Sequence, residues 1–376
     1  MASSTFVAGL LRGIEAGWIP EWVTRWGIRR LCAKRLATLR ARGFEAGRDL
    51  DDRFYQQSID GPIALVPEKA NEQHYEVPAA AFEMMLGPHR KYSSCYWEPG
   101  VRDLEEAEHR SLELSCEHAG LVDGQDILEL GCGWGSLTLF MAQRYPHSHI
   151  TAVSNSGSQR EFIMARAREL GVADRLRIVT GDVSTLQLDG TFDRIVSIEM
   201  FEHMRNYRQL MKKCRAWLRA DGALFVHVFC HRHFTYPFET EGAENWMGRY
   251  FFSGGIMPSD DWLLRFQEDL VCTRQWRWSG EHYQKTAEAW LDNMTRNRSR
   301  LEALFADVYP GQSPAQWYRR WRMLYLAGAE MFGLRDGAEW YVSHYRFEPR
   351  GSSQELTREG DEHAWEHGTP RGELVG

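Results

Sequence analysis

Residues 127–136, Ile-Leu-Glu-Leu-Gly-Cys-Gly-Trp-Gly-Ser, decide the fold of this 376-residue chain. The stretch begins as a short apolar strand, Ile127–Leu130, and passes directly into a glycine-rich turn. The glycines of the turn are Gly131, Gly133 and Gly135. Glycines between a strand and a helix let the backbone bend sharply and approach a ligand closely. The spacing is GxGxG, unlike the GxGxxG of dinucleotide-binding folds, and the acidic Glu129 before it suits a ligand that carries an ammonium group.

Short apolar segments alternate with helical stretches from about residue 120 to residue 230. The further predicted strands are 149–154, 176–180, 195–198 and 223–229, and a helix is predicted over 159–170. This alternation is typical of a parallel sheet with crossover helices. We therefore predict an α/β fold with a Rossmann-like, mainly parallel sheet and flanking helices.

Changes in composition divide the chain into five predicted segments. They are a helical N-terminal arm (1–75), the sheet domain (76–230), a helical aromatic cap over the carboxyl edge of the sheet (231–335), a closing strand (336–350) and a disordered tail (351–376). In the arm, Trp18, Trp22 and Trp26 recur every four residues and basic residues follow them. Such a stretch can lie on a membrane surface, but an arm packed on the main domain with its charged face in water is the favoured interpretation.

The overall composition excludes several functions. A formal net charge of -7 weighs against a nucleic-acid substrate. We recognise no signal peptide and no transmembrane segment. The seven cysteines form no CxxC pair, so we expect no metal site and a reduced, cytoplasmic protein. Most of the 47 aromatic residues, 15 Trp, 14 Tyr and 18 Phe, would serve core packing, although aromatic faces can also bind a cation.

Residues 127–135 resemble the first motif of the class I S-adenosylmethionine-dependent methyltransferases. The second predicted strand of that class usually ends in an acid that holds the ribose, whereas this chain has Ser154-Asn155 and then Gln159. This departure resembles the cyclopropane fatty acid synthase superfamily, in which a glutamine on the following helix reaches the ribose. Gly181-Asp182-Val183 stands where the class binds adenine, and Tyr92-Ser93-Ser94-Cys95-Tyr96 resembles the YSxxY segment that covers the methionine end of the cofactor.

The resemblance implies S-adenosyl-L-methionine as the cofactor. It would be bound by residues from all of these segments and from the fourth strand: Tyr92, Ser93, Gly131, Gly133, Gly135, Asn155, Gln159, Asp182, Val183 and Ser197.

The fourth strand is followed by Glu199-Met200-Phe201-Glu202-His203-Met204. If a helical turn begins here, Glu199, Glu202 and His203 lie at i, i+3 and i+4 on one face. That face would be at the carboxyl end of a central strand, where open α/β sheets bind their ligands. Without further information, the same residues could be helix-capping and surface charges.

Over nearly the whole chain, the sequence resembles the coclaurine N-methyltransferases, which carry EMFEHM at this point. Further similar segments are 74–78, 104–108, 249–255, 330–333, 339–340 and 343–344. The resemblance implies an S-adenosylmethionine-dependent N-methyltransferase that acts on a small, aromatic or alkaloid-like amine. Glu202 and His203 would form the proton-accepting pair and Glu199 would anchor the amine. The remaining substrate-binding candidates are Glu76, which is a second possible anchor, His227, Tyr283, Trp321 and Tyr325. A homodimer is compatible with the sequence.

Two alternatives remain open at this point. A cyclopropane-fatty-acyl-phospholipid synthase, which adds a methylene to an unsaturated lipid, shares the FEH triplet and resembles this chain at Gln159, His227 and Tyr283. Synthases usually have Gly where Glu199 stands and Cys where Ser94 stands. The other alternative is a cofactor-binding protein without catalysis, against which the intact Glu199, Glu202 and His203 argue. His227 could equally be a core histidine at the end of a strand.

Overall fold

A mixed seven-stranded sheet forms the centre of the protein, for which a computed structural model describes residues 4–65 and 77–351. The strands are β1 (Asp126–Leu130), β2 (His149–Ser154), β3 (Leu176–Thr180), β4 (Phe192–Ile198), β5 (Leu218–His231), β8 (Leu270–Trp278) and β9 (Trp340–Pro349). Their order is β3-β2-β1-β4-β5-β9-β8. The first five strands run parallel, and β9 and β8 add antiparallel pairs. A separate ribbon pairs β6 (Tyr236–Pro237) with β7 (Ile256–Met257). The predicted α/β fold class is confirmed.

Helices cover both faces of the sheet and its carboxyl edge. They are α1 (Ser4–Ala16), α2 (Glu21–Arg40), α3 (Phe44–Asp60), α4 (Ala79–Met85), α5 (Leu104–Ala119), α6 (Ser136–Arg144), α7 (Gly157–Glu169), α8 (Tyr207–Trp217), α9 (Trp246–Tyr250), α10 (Gly280–Arg296), α11 (Arg298–Val308) and α12 (Pro314–Phe332). With helices on both faces, the central strands are buried on both sides, which explains why residues 127–130 read as an unbroken buried run. The chain order changes direction between β1 and β4, which is the place where such sheets bind ligands.

Segment 231–335 was predicted to be wholly helical, but the structure contains the strand β8 within it. This strand reads Leu-Val-Cys-Thr-Arg-Gln-Trp-Arg-Trp, and only its first and last residues are buried. It is the edge strand next to β9, so its middle residues face solvent on more than one side and show no apolar alternation. The predicted closing strand is present as β9. Glu76, the boundary at 75–76 and nearly all of the predicted tail lie outside the described residues.

The described part of the N-terminal arm packs through ion pairs and through apolar side chains such as the buried Leu36 and Leu39, and turns its tryptophans outward. The Arg25 guanidinium forms ion pairs with Glu288 of α10 and Glu330 of α12. Trp18, Trp22 and Trp26 are 81%, 71% and 55% exposed. The arm is thus packed on the main domain, and basic side chains such as Arg25 take part in this packing where the sequence predicted a charged face in water. None of the helices in the described ranges is long and apolar enough to cross a membrane.

Candidate active site

Two adjoining cavities lie at the carboxyl ends of the central strands. The larger, about 1280 Å³ including space open to solvent, extends from the glycine turn to side chains of α10 and α12. The smaller, about 660 Å³ on the same measure, lies at the ends of β2 and β3. The residues that line both are Gly131, Gly133, Gln159 and His203. The cavities therefore form one continuous cleft.

The glycine turn approaches its neighbours too closely for side chains. Gly131 has a φ of +79°, and a Cβ there would lie 2.8 Å from the Cβ of Met200. Gly135 has a φ of +80°, and its Cβ would lie 2.7 Å from Ile163 Cγ1. The Gly131 N–H donates to the carbonyl oxygen of Val153 at 3.0 Å, which ties the turn to the end of β2. Both conformation and space thus require glycine at these two positions.

A buried carboxyl group faces the cleft beneath this turn. Glu129, at the end of β1, lines the larger cavity and accepts a hydrogen bond from the Thr138 hydroxyl. Burial raises the pKa of Glu129 to about 7, and the Thr138 hydrogen bond opposes the shift. An ammonium group brought against this carboxyl would favour its ionised form. The position therefore suits the amino end of an amino-acid-like ligand, as the sequence indicates.

Polar groups at the ends of β2 and β3 line the smaller cavity. Gln159, in the first turn of α7, accepts a hydrogen bond from the Ser154 hydroxyl at 2.6 Å. The Asp182 carboxylate accepts from the N–H and O–H groups of Ser184 at 2.8 and 2.7 Å. Asn155 and Val183 complete this wall. The structure brings together all four residues that the sequence assigns to the ribose and the adenine.

Two cofactor candidates line neither cavity: Gly135, which turns towards Ile163, and Ser197. The Ser197 side chain is fully buried, and its hydroxyl donates to the Leu130 carbonyl at 3.0 Å between β4 and β1. Because β4 is sandwiched inside the sheet, this serine links strands and has no access to a ligand. Its predicted direct contact with the cofactor is corrected accordingly.

The Tyr-Ser segment lines the larger cavity together with a lysine that the sequence analysis missed. Tyr92 and Ser93 reach the cavity as predicted. Lys91, fully buried, donates from Nζ to Ser93 Oγ at 2.6 Å and to the Ser94 carbonyl. Burial lowers the pKa of Lys91. A lysine immediately before an aromatic-serine motif is the signal that could have identified it.

The Glu199 carboxylate has hydrogen-bonding partners from three parts of the chain. Its Oε1 accepts from the Ser94 N–H at 2.9 Å and lies 3.2 Å from His227 Nε2. Its Oε2 accepts from the Tyr283 hydroxyl at 2.7 Å. The Ser94 N–H and the Tyr283 hydroxyl donate to different oxygens and so hold both ends of the carboxylate in place. With its side chain only 7% exposed, Glu199 is a fixed acidic group in the wall of the cleft.

The backbone around Glu199 differs from the predicted helical turn. Glu199 has a φ of +45°, and its N–H donates to the His227 carbonyl at 2.8 Å. A short 3₁₀ turn, Phe201–His203, begins only after this kink. Left-handed backbone at a non-glycine residue is unfavourable and is concentrated at functional sites. Glu199, Glu202 and His203 all line the cavity as predicted, but a kink and a 3₁₀ turn bring them there, not one helical face.

Glu202 and His203 have contrasting surroundings. Glu202 is almost fully buried, and its Oε2 has no hydrogen-bond partner within the described ranges. Burial and the nearby Glu199 raise the pKa of Glu202 well above its usual value, which favours the protonated carboxyl. His203 stacks parallel to the Phe252 ring, with 5.8 Å between centroids, and lies where the two cavities meet.

The far end of the larger cavity is aromatic. Its aromatic lining residues there are Phe229, Phe238, Phe252, Tyr283, Trp290, Tyr325 and Phe332. Tyr283 stacks on Phe332 with 4.2 Å between the ring centroids. Tyr283 and Tyr325 were predicted from the sequence, whereas Phe229 and Trp290 were not. The i, i+7 spacing of Tyr283 and Trp290 on one face of α10 is the signal that could have identified Trp290.

Two predicted substrate residues lie behind the cleft wall. Trp321 is fully buried and packs against Tyr325 and Phe82, so it does not line either cavity. His227 is also fully buried and reaches the cleft only through Glu199. Direct contact of these two side chains with a substrate, as predicted from the sequence, is therefore corrected to an indirect role.

Together, the glycine cradle, the Glu129 carboxyl and the amide and carboxylate of Gln159 and Asp182 fit S-adenosylmethionine. The backbone leaves no room for a Cβ where the ligand's amino-acid portion would approach, and polar groups line the nucleoside end. The fold and this site define a class I S-adenosylmethionine-dependent methyltransferase.

Comparisons with known proteins give the family. The family described as mycolic acid cyclopropane synthetase matches residues 66–337. The (S)-coclaurine N-methyltransferase of Thalictrum flavum subsp. glaucum is 38% identical over 92% of this chain and 96% of that protein. The enzyme of the same name from Papaver somniferum is 34% identical over 91% of this chain and 98% of its own length. A crystal structure of coclaurine N-methyltransferase bound to N-methylheliamine and S-adenosylhomocysteine superposes with a TM-score of 0.87, at 35% identity, over 90% of this chain and 99% of that one.

The chain therefore belongs to the mycolic acid cyclopropane synthetase family and, within it, to the coclaurine N-methyltransferase group. The predicted resemblance and the predicted cofactor are confirmed, and the protein is an S-adenosylmethionine-dependent N-methyltransferase. The cyclopropane-fatty-acyl-phospholipid synthase of Escherichia coli strain K12 is more distant, at 28% identity over 70% of this chain.

Proposed function

We propose that this enzyme methylates the nitrogen of a small, aromatic or alkaloid-like amine. The observation that carries the proposal is the firmly held carboxylate of Glu199 in a cavity whose far wall is aromatic. A carboxylate attracts an ammonium group, and aromatic faces attract both a cation and a flat ring system. The names of the relatives, which include coclaurine and pavine N-methyltransferases, support an amine of this class.

Bound S-adenosylmethionine supplies an electrophilic methyl group on its sulfonium. The residues of this chain have to hold the amine in line with that group and keep its nitrogen neutral, because a protonated amine has no free electron pair to attack. Glu199 would draw the ammonium form into the cleft. His203, at the junction of the two cavities, would accept the proton that the nitrogen loses.

The role proposed for Glu202 differs from the role expected from the sequence. Because burial and the nearby Glu199 raise the pKa of Glu202 well above its usual value, its protonated form is favoured and it is less available as a proton acceptor. A protonated carboxyl next to Glu199 can instead donate a hydrogen bond within the acidic pair. His203 would then accept the one proton that the nitrogen loses, while Glu202 keeps the proton it already carries.

A methylene transfer to an unsaturated lipid is the second candidate. The family description and a mycolic acid cyclopropane synthase structure at a TM-score of 0.64 and 26% identity favour it. Against it stands Glu199, where the synthases usually have glycine, because an ionised carboxylate has no partner on an alkene. The large aromatic wall also offers a flat amine more contact than a flexible acyl chain requires.

A substrate screen tests the proposal. Purified full-length enzyme is offered primary, secondary and tertiary aromatic amines and, separately, vesicles of unsaturated phospholipid, and release of S-adenosylhomocysteine is followed. We expect turnover with amines, and a large loss of that turnover in Glu199→Gln, which keeps the shape of the side chain but removes its charge. Turnover with phospholipid alone would refute the amine assignment and support the synthase.

The proposed setting is a reducing cytoplasmic compartment with the enzyme as a homodimer. All seven cysteines are unpaired, which is the usual state of cytoplasmic proteins. Light scattering of the purified chain measures the oligomeric state, and fractionation of the source cells measures the compartment.

A further inference from the structure

Three histidines lie in a row behind Glu199. His227 Nε2 is 3.2 Å from Glu199 Oε1, and His227 Nδ1 is 2.8 Å from His344 Nε2. His344 Nδ1 is in turn 2.7 Å from His118 Nδ1. His227 and His344 are completely buried, whereas His118 is partly exposed in the last turn of α5. The row therefore links the carboxylate in the cleft to the partly exposed His118 at the end of α5.

The sheet register builds this row. His227 of β5 is paired directly with His344 of β9, and His344 is paired with Trp276 of β8. Directly paired residues project from the same face of a sheet. The last turn of α5 covers that face, and the His118 ring stacks on Trp276 with 4.1 Å between the centroids and 6° between the planes. Trp278 closes the row from the side, 4.2 Å from the His344 ring.

The hydrogen bonds of the row must all point in one direction, because the three rings supply only one N–H group each. Each neutral imidazole carries one N–H, and each of the three contacts needs one donor. All three hydrogen bonds must then point the same way, either towards Glu199 or away from it. Burial lowers the pKa of His227 and that of His118 to about 4 and lowers the pKa of His344 well below its usual value, so all three rings are neutral at neutral pH.

The charged and titratable groups around the row keep it neutral and fix its direction. Lys91 faces His227 and His344, and Arg110 faces His118, so positive charge opposes a second proton on each ring. At the other end, Glu202 and Tyr283 face Glu199. The Ser94 N–H can only donate, and it already points at Glu199 Oε1.

An ionised Glu199 is compatible with one direction alone. With the bonds pointing towards the cleft, His118 donates to His344, His344 donates to His227, and His227 donates from Nε2 to the carboxylate. With the bonds reversed, the lone pair of His227 Nε2 would face Glu199 Oε1, which is tolerable only if Glu199 is protonated.

We propose that His344 and His118 are positioning residues that fix the proton of His227 on Nε2 and thereby hold Glu199 in its ionised form for the ammonium group of the substrate. This inference rests on the proposed role of Glu199 as the amine anchor. Neither His344 nor His118 touches the cleft, so both act on the substrate only through His227 and Glu199.

A set of variants of the full-length enzyme tests the inference by steady-state kinetics. His344→Phe interrupts the row with a ring of similar shape, and His344→Gln restores a donor close to the position of Nε2. We expect His344→Phe to raise KM for the amine by roughly ten- to a hundredfold, the effect of one hydrogen bond to a charged group. The acid limb of the kcat/KM profile should move to higher pH by about one unit or more. The cofactor Kd should change less than about threefold, and His344→Gln should recover most of the loss.

His231→Asn is the matched control, because His231 is a second buried histidine on β5 that lies outside the row. Its Nδ1 accepts from the backbone N–H groups of His233 and Phe234 at 2.9 and 3.1 Å, and the Asn carbonyl can take over that role. We expect an unshifted pH profile in this control. If His344→Phe does not fold, His118→Phe serves instead, because it keeps the stacking on Trp276 and should shift the profile in the same direction by less.

Nitrogen-15 spectra of the histidine rings in the wild-type enzyme give a readout that does not depend on turnover. We expect His227 to carry its proton on Nε2 at every pH from about 5 to 8. A proton on Nδ1 of His227 would overturn the inference, as would an unchanged KM and pH profile in a folded His344→Phe or His118→Phe enzyme. A wild-type enzyme that turns over no amine would instead refute the proposed function, while the spectra would still decide the direction of the row.

Discussion

The nucleoside side and the amine side of the cleft are formed by different kinds of residues. The nucleoside side is the smaller cavity, in which Asn155, Gln159 and Asp182 stand at or just beyond the ends of neighbouring strands. The amine side is the aromatic end of the larger cavity, and its residues come from β5, α10, α12 and the segments that follow β6 and α9. Local turns with polar side chains therefore form one side, and long-range packing of apolar side chains forms the other.

This difference separates two kinds of recognition within one cleft. A nucleoside is held by a few directed hydrogen bonds, which a short motif can encode. An aromatic amine is held by the shape of a packed wall and by one carboxylate, which no short motif encodes. Substitutions on the amine side should thus change the substrate while leaving cofactor affinity intact, and substitutions on the nucleoside side should do the opposite.

The largest loss of turnover is expected for His203→Ala. This variant tests whether His203 acts on the amine or on the nucleoside side of the cleft. Its loss should lower turnover by roughly 100- to 10,000-fold, the usual contribution of a positioned acid–base group. Cofactor affinity measured by calorimetry should stay within about threefold. Raising the pH should restore part of the rate, because a larger fraction of the amine is then neutral without help.

Glu199→Ala is the matched contrast. Because we propose that Glu199 binds the ammonium form, its loss should raise KM for the amine, and a higher pH should not rescue it. A pH–rate profile of His203→Ala that runs parallel to the wild-type profile would exclude His203 as the proton acceptor. A tenfold loss of cofactor affinity would instead place His203 on the nucleoside side.

A smaller loss is expected for Gly131→Ala, which concerns the turn shared by both sides. Gly171→Ala is its control, because Gly171 has a similar φ of +69° but no heavy atom within 4 Å of an added Cβ. The control should cost about 1–2 kcal/mol of unfolding free energy, from the left-handed backbone alone. Gly131→Ala adds a 2.8 Å contact with the Cβ of Met200, so it should cost more and also weaken cofactor binding. Equal unfolding midpoints in urea for the two variants would show that Met200 moves away freely.

The nucleoside side of the cleft could be predicted from the sequence better than the amine side. The glycine turn, Asp182 and Gln159 were predictable because the contacts that position them are local. The aromatic lining from Phe229 and Trp290 was not, since many buried aromatic residues look alike until the packing is known. Trp321 shows this directly, because its position on α12 resembles that of Tyr325 but its ring packs one layer behind the cavity.

The kink at Glu199 and the edge strand β8 show a further limit. A φ of +45° at a glutamate has no sequence signature, because hydrogen bonds from residues far along the chain hold it there. β8 is half exposed. It pairs with β9, which comes later in the chain, so its partner cannot be read from neighbouring residues. Both features depend on tertiary context, which overrides local preference.

On the nucleoside side, Asp182→Ala and Gln159→Ala should each weaken cofactor binding by about 0.5–1.5 kcal/mol, the value of one hydrogen bond. Neither change removes much core volume, so the melting temperature should fall little. KM for the amine at saturating cofactor should not change. Calorimetry with S-adenosylhomocysteine measures the affinity, and unchanged affinity in both variants would show that the nucleoside lies elsewhere in the cleft.

The smallest effect is expected in the N-terminal arm, where Arg25→Ala tests whether the arm belongs to the amine side. Arg25 pairs with both oxygens of Glu288, at 2.5 and 2.8 Å, and with Glu330 at 2.9 Å, while its side chain is 20% exposed. Solvent screens such a pair, so its removal should lower the unfolding free energy by at most about 1 kcal/mol. Arg29→Ala is the control, because Arg29 also pairs with Glu330 but is 56% exposed, and it should cost less. Glu330 immediately precedes Met331, which lines the larger cavity, so this ion pair is one route by which the arm could affect the substrate. Turnover within about twofold of wild type would show that the arm contributes stability alone, whereas a tenfold rise in KM for the amine, with cofactor affinity unchanged, would extend the amine side of the cleft into the arm.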